Sequence, residues 1–184
     1  MRAAIVVVGA ALLGVLVLQP LTSQSSWATP SVEIEPGDHR GPDGVTVFDD
    51  AVPAVANLDP DLLGALRQAA TDAAGDGVEF VVTSGWRSPE HQEQLLREAI
   101  SEYGSESEAA RWVATPNTSA HVSGDAVDIG PSDATAWLSS YGAPYGLCQI
   151  YSNEPWHYEL RSDAGVYGCP PLYADPTQDP RMQE

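Results

Sequence analysis

Hydrophobic positions recur along this chain in short blocks, and the blocks follow two different periods. Leu62, Leu63, Leu66 and Ala69/Ala70 repeat at helical spacing. The residues before them, Asn57-Leu58-Asp59-Pro60, form a helix start: Asp59 can cap, and Pro60 suits the first helical position. This helix is expected to end near Gly75 to Gly77. Val78-Glu79-Phe80-Val81-Val82 is rich in β-formers and predicts a strand running into Thr83-Ser84-Gly85-Trp86-Arg87. Ser88 then caps a second helix with Pro89 at its first position, and Leu95, Leu96, Ala99 and Ile100 share one side of it.

Further along the elements shorten. A short helix fits residues 106–113, and residues 115–119 read as loop. Residues 126–129 alternate as a strand, and residues 133–141 form a helical stretch ending at Gly142. Residues 147–151 and 156–160 predict two strands joined by Ser152-Asn153-Glu154-Pro155, a turn composition. Residues 45–48 are a short strand or an extended lead-in. Strands and helices mix without a βαβ rhythm. The expected class is therefore α+β, a mostly antiparallel sheet flanked by helices.

The ends read differently. Arg2 precedes an unbroken apolar run from Ala3 to Leu18, and Ser26-Trp27-Ala28 offers small residues at the −3 and −1 positions of a cut after Ala28. Residues 1–28 are expected to be a signal peptide or signal-anchor. Residues 29–45, rich in Pro, Gly and acids, are a linker, residues 46–170 the domain, and residues 171–184 a flexible acidic tail. The body of the protein is thus expected outside the cytoplasm, extracellular or associated with the wall or membrane. Its 184 residues suffice for one domain with a real core. The net charge is −18, and all eight basic residues are Arg. An acidic surface without basic clusters argues against nucleic acid and against anionic membrane surfaces. A monomer is expected. Cys148 and Cys169, the only cysteines, are expected to pair in an exported chain.

The chemistry concentrates in two places. Ser119 to Asp128 reads S-A-H-V-S-G-D-A-V-D, and Glu154 to His157 reads E-P-W-H. Of four histidines in the chain, two fall in these segments. Two imidazoles and two carboxylates meet the needs of a catalytic zinc site, with three protein ligands, an open position and a base beside it. Gly124 lets the backbone bend after His121, and Asp128 arrives on a strand whose Val127 and Ile129 point into the core. In a strand, residues three apart lie about 10 Å apart on opposite faces. Glu154 can therefore approach a metal held by His157 only if the chain turns between them. Arg87 is the candidate cation for a substrate carboxylate or an oxyanion. Glu159 shares the His157 face, where it either orients that ligand or makes a surface salt bridge. His39 and His91 have no partner by sequence.

The His121, Asp128 and E-x-W-H pattern, with the upstream S-G-W-R-S and Gln92 five residues after Arg87, resembles the VanY-type D-alanyl-D-alanine carboxypeptidases. That is a zinc peptidase family whose fold is shared with the Hedgehog signalling domain. The family's usual form has Tyr where Trp86 stands. The resemblance covers roughly residues 57–161. It implies zinc as cofactor, with His121, Asp128 and His157 as ligands and Glu154 as general base and then acid. It places Arg87 at the scissile bond, and Ser119 and Gln92 with Arg87 on the substrate side. The implied partners are peptidoglycan stem peptides ending in D-amino acids. The expected function is an exported D,D-carboxypeptidase. The alternatives are an L,D-carboxypeptidase, a D,D-dipeptidase or a wall endopeptidase of the same fold, or a non-catalytic zinc-containing wall-binding module. A Ser119–His121–Asp128 hydrolase triad is disfavoured because it leaves Glu154 and His157 unexplained and has no Gly-x-Ser-x-Gly elbow.

Overall fold

The structure is a computed structural model that describes residues 44–183. The expected signal segment and nearly all of the expected linker lie outside the described residues. The first described residues form no strand: Thr46 makes a single bridge to Val81, the Val82 amide donates to the Val45 carbonyl at 2.8 Å, and the chain then turns, the Asp49 amide donating to the Thr46 carbonyl at 3.2 Å.

A short helix, α1 (Pro53–Ala56), precedes α2 (Pro60–Gly75). The Asp59 carboxylate accepts from the amides of Asp61 and Leu62 and so caps α2, with Pro60 at the first helical position. Leu62, Leu66, Ala69 and Ala73 are fully buried along one stripe of α2. Each buried Leu contributes about 2 kcal/mol of apolar transfer.

Strand β1 (Val81–Ser84) begins three residues later than the hydrophobic run implied. The reason is a competing bond: the Val78 amide donates to the Ala73 carbonyl at 2.9 Å and closes the end of α2. The strand also runs on through Thr83 to Ser84, which pairs with Asp128 of the next strand after a register shift between Val82 and Ser84.

Helix α3 (Pro89–Tyr103) is capped by the Ser88 hydroxyl, which accepts from the His91 amide. Its Leu95, Leu96 and Ile100 are only half-buried. The helix roofs an open cavity and does not enter the main core. The short α4 (Glu106–Ala109), capped by Ser105, stops earlier than expected, and α5 (Ala120–Ser123) is a single turn where loop and bend were expected. Strand β2 (Ala126–Gly130), helix α6 (Ser132–Tyr141), strand β3 (Leu147–Gln149), strand β4 (His157–Leu160) and a short α7 (Ala164–Tyr167) follow. Among the described residues no helix is long and apolar enough to cross a membrane.

The four strands form one antiparallel sheet in the order β1-β2-β4-β3. This is the expected α+β class. Helices α2 and α6 pack with Val82, Val127, Ile129 and Tyr158 into the main core, closed at one side by the Phe80–Trp137 edge contact. The opposite face of the two central strands carries Asp128 and His157, directly paired in register.

Cys148 and Cys169 do form a disulfide, with Cα atoms 5.5 Å apart. A loop of this length contributes about 3 kcal/mol on the chain-entropy reading. The expected flexible tail at 171–184 is corrected: among its described residues Asp175, Pro176 and Asp179 are buried, and bonds tie the segment to the domain. Tyr173 pairs with Tyr151, its amide donating to Ile150 and its carbonyl accepting from Ser152. Two 3₁₀ turns (Pro176–Gln178 and Pro180–Gln183) then run back over the sheet edge. The acids that made this segment look like a solvated tail have dedicated partners: Asp175 takes Arg111, and the fully buried Asp179 takes Tyr151 and Arg181.

Candidate active site

The site is assembled at the join of β1, α5, β2 and the turn before β4. Gly85, just after β1, passes so close to α1 that an added Cβ would sit 2.0 Å from the Ala54 carbonyl oxygen. That approach lets the Trp86 amide donate to Ala54 at 2.9 Å and turns the Gly85 carbonyl toward His121, whose Nδ1 donates to it at 2.8 Å. His121 sits on α5. Gly124 ends that turn at φ +85°, and a Cβ there would lie 2.6 Å from the Asn57 carbonyl oxygen. The Asp59 amide donates to the Gly124 carbonyl, tying α5 to the start of α2. Trp86 Nε1 donates to the Val122 carbonyl and clamps α5 from the other side.

Asp128 comes from β2 and His157 from β4. The expected turn is present: the His157 amide donates to the Glu154 carbonyl at 3.1 Å, which folds Glu154 back beside the His157 ring. His121 Nε2, His157 Nδ1 and Asp128 Oδ1 then lie 3.3–3.4 Å from one another. Glu154 Oε2 stands 3.6 Å from His157 Nδ1.

These spacings fit a metal. Ligand atoms at about 2.0–2.1 Å from a tetrahedral zinc lie about 3.3–3.4 Å apart. The tautomers agree. Gly85 O and Glu159 Oε1 are acceptors, so each histidine in its neutral form carries its proton on the outer nitrogen and turns a lone pair inward. Asp128 Oδ1 is buried beside both lone pairs and makes no hydrogen bond. Three electron-rich atoms facing one point in a buried site call for a cation there. The remaining lobe, Asp128 Oδ2, accepts from Arg87 at 3.2 Å.

The charges of these groups are strongly coupled. Burial would raise the Asp128 carboxyl, but His121 and His157 overcome it and hold it far below the usual carboxylate range. Burial would lower His157, but its contacts with Asp128 and Glu159 lift it to about 9. Burial, aided by the Arg87 charge, lowers His121. Glu154 is pushed up by burial to about 7, in the range suited to a proton carrier near neutral pH.

His121, Asp128, Glu154, His157, Arg87, Gln92 and Ser119 all border one cavity of about 420 Å³, walled outward by Trp112 and the partly exposed Trp156. Gln92 is buried with both ends committed: its Oε1 accepts from Arg87 and its Nε2 donates to the Ala114 carbonyl. It holds Arg87 in place. Arg87 also donates through Nε to Ser84, so it braces Asp128 as well as charging the cavity. Ser119 lines the wall and makes no side-chain cap on α5. Glu159 settles between its two readings: it is buried against His157, not on the surface. Sequence reasoning missed the close approach at Gly85 and the role of Ser84. The glycine two residues before Arg87 was the available signal for the first.

Residues 55–163 match the D-alanyl-D-alanine carboxypeptidase family VanY. The chain belongs to this family. It is 34% identical over 126 residues to a D-alanyl-D-alanine carboxypeptidase of Enterococcus faecalis (strain ATCC 700802 / V583), a match covering 55% of this chain and 46% of the relative. The chain thus spans about half the length of that curated relative. Among solved structures, VanYB in complex with D-alanine-D-alanine superposes with a TM-score of 0.55 at 30% identity, covering 59% of this chain and 75% of that one. The D,D-pentapeptidase VanY from a VanB-type resistance cassette, in complex with Zn(II), gives 0.52 at 30% identity, with coverages of 56% and 72%. The LD-carboxypeptidase LdcB shares the fold, with a TM-score of 0.57 at 23% identity over 72% of this chain and 75% of that one.

Proposed function

We propose that this protein is an exported zinc D,D-carboxypeptidase that removes the terminal D-alanine from peptidoglycan stem peptides. The observation that carries the reading is the triangle of inward-facing ligand atoms, 3.3–3.4 Å on each side, with a buried non-ligand carboxylate beside it. His121 through Nε2, Asp128 through Oδ1 and His157 through Nδ1 would hold the ion. Bound zinc would supply Lewis acidity to a water and to the scissile carbonyl. Glu154 takes a proton from the attacking water and returns it to the leaving amine of D-alanine, a role its raised pKa suits. Arg87, fixed by Ser84 and Gln92, presents positive charge in the cavity to the substrate's terminal carboxylate or carbonyl. The cavity size admits the end of a peptide and excludes a folded protein chain. A non-catalytic zinc module has no use for the buried carboxylate of Glu154.

The test is product analysis. Purified, zinc-loaded protein is incubated with pentapeptide and tetrapeptide stems and the products are weighed by mass spectrometry. Release of D-alanine from the pentapeptide alone is the expected result. Release from the tetrapeptide identifies the L,D-activity instead, and no cleavage of any stem peptide refutes an enzymatic role.

A further inference from the structure

Behind His157 lies a polar network that the proposed reaction does not use. Glu159 is 1% exposed. Its Oε1 accepts from His157 Nε2 at 3.3 Å, and its Oε2 accepts from Arg161 Nη2 at 2.8 Å. Arg181 straddles the same carboxylate, Nη1 donating to Oε2 at 2.7 Å and Nη2 to Oε1 at 3.2 Å. Arg181 is set in turn by Asp179, whose carboxylate accepts from Arg181 Nε at 3.0–3.1 Å and whose Oδ1 accepts from the Arg181 amide. Asp179 also accepts from the Tyr151 hydroxyl at 3.0 Å, and the Tyr151 ring lies 5.1 Å from that of His157. The family match ends at residue 163, so Asp179 and Arg181 lie beyond it.

We propose that the C-terminal segment braces the zinc site, with Arg181 as a positioning residue that holds the Glu159 carboxylate against His157 Nε2. The geometry assigns the two arginines different tasks. Arg161 touches one oxygen and compensates charge. Arg181 touches both oxygens as a planar fork and so fixes the carboxylate's rotation. A fixed acceptor at Nε2 keeps the His157 proton there and the lone pair of Nδ1 turned inward. Without the fork, Glu159 can rotate onto Arg161, and His157 loses the partner that selects its tautomer. The inference rests on His157 being a zinc ligand.

The experiment compares full-length wild type, Arg181→Ala and Arg181→Lys. It reads the zinc dissociation constant by competition with a chromogenic chelator, and the visible absorption bands of the cobalt-loaded protein. Loss of an outer partner of a ligand histidine weakens metal binding about 10–100-fold, which is the result expected for Arg181→Ala, together with altered cobalt bands. Arg181→Lys keeps the charge but not the fork and falls between the two. Arg181→Ala that binds zinc within about twofold of wild type, with unchanged cobalt bands, overturns the proposal. If circular dichroism finds Arg181→Ala unfolded, Arg181→Lys decides: wild-type affinity and bands overturn the proposal, weakened binding with shifted bands supports it. A wild type that binds no zinc overturns this inference together with the zinc reading, whereas a zinc-binding wild type with indifferent variants overturns this inference alone.

Discussion

Replacing Glu154 by Gln separates chemistry from stability at one atom. The substitution keeps shape and volume and removes only the ionisable oxygen. Glu154 stands 3.6 Å from the inward nitrogen of His157 and is 7% exposed. In the proposed role of proton carrier it would account for about 10²–10⁴-fold in rate, or about 3–5 kcal/mol in the barrier. The same residue burdens the zinc-free fold. Burial lifts its pKa from 4.5 to about 7, so the ionised form is disfavoured in the folded state by about 3 kcal/mol. The sign follows from a folded pKa above the unfolded one. The cost is absent below the unfolded pKa, appears as pH rises through that interval, and is fully present above about pH 7. Glu154→Gln is therefore expected to raise the melting temperature of zinc-free protein by several degrees at pH 8 and to leave it unchanged at pH 4. It should retain zinc and lose turnover of pentapeptide by at least about a hundredfold. Calorimetry at the two pH values and D-alanine release measure both effects. Wild-type turnover in the variant would refute the assignment of the base, and an unchanged melting temperature at pH 8 would refute the burial argument.

Other outcomes follow from the same geometry. His121→Ala should lose bound zinc, measured by metal analysis after gel filtration, while Glu154→Gln retains it; equal zinc in both would remove His121 from the ligand set. Gly124→Ala meets both a left-handed φ and a carbonyl at 2.6 Å, whereas Gly77→Ala meets only the φ of +78°. Urea unfolding should cost about 1–2 kcal/mol at Gly77 and clearly more at Gly124, and equal costs would mean that α5 relaxes away from Asn57. Reducing Cys148–Cys169 should lower stability by about 3 kcal/mol, read from denaturant midpoints with and without reductant.

Much of the fold was legible because it depends on local signals. Asp59-Pro60 and Ser88-Pro89 mark helix starts through capping chemistry that involves only near neighbours. The alternation at Val127, Asp128 and Ile129 assigns one face to the core and one to the site, because strand side chains alternate strictly. The boundaries of β1 were less legible, since the Val78 amide closes α2 and cannot also serve a strand. The tail was misread for a related reason. Composition counts the acids near the C-terminus but not Arg111 and Tyr151, which meet Asp175 and Asp179 from distant parts of the chain.

What the sequence determined alone was the identity of the groups: two histidines, an aspartate and a glutamate, in two short segments, with a glycine to bend one and a turn to fold the other. Residue type and short spacing decide which atoms can bind and where the chain must bend. Only the tertiary structure decided which atoms face one another. His121 uses Nε2 because Gly85, 36 residues away, takes its Nδ1 proton. His157 uses Nδ1 because Glu159, clamped by Arg161 and Arg181, takes its other proton. The direction of a lone pair is set by the partner on the far side of the ring: for His121 that partner is a long-range contact that no local pattern records, and for His157 the nearby Glu159 is itself fixed by Arg181, 22 residues further along.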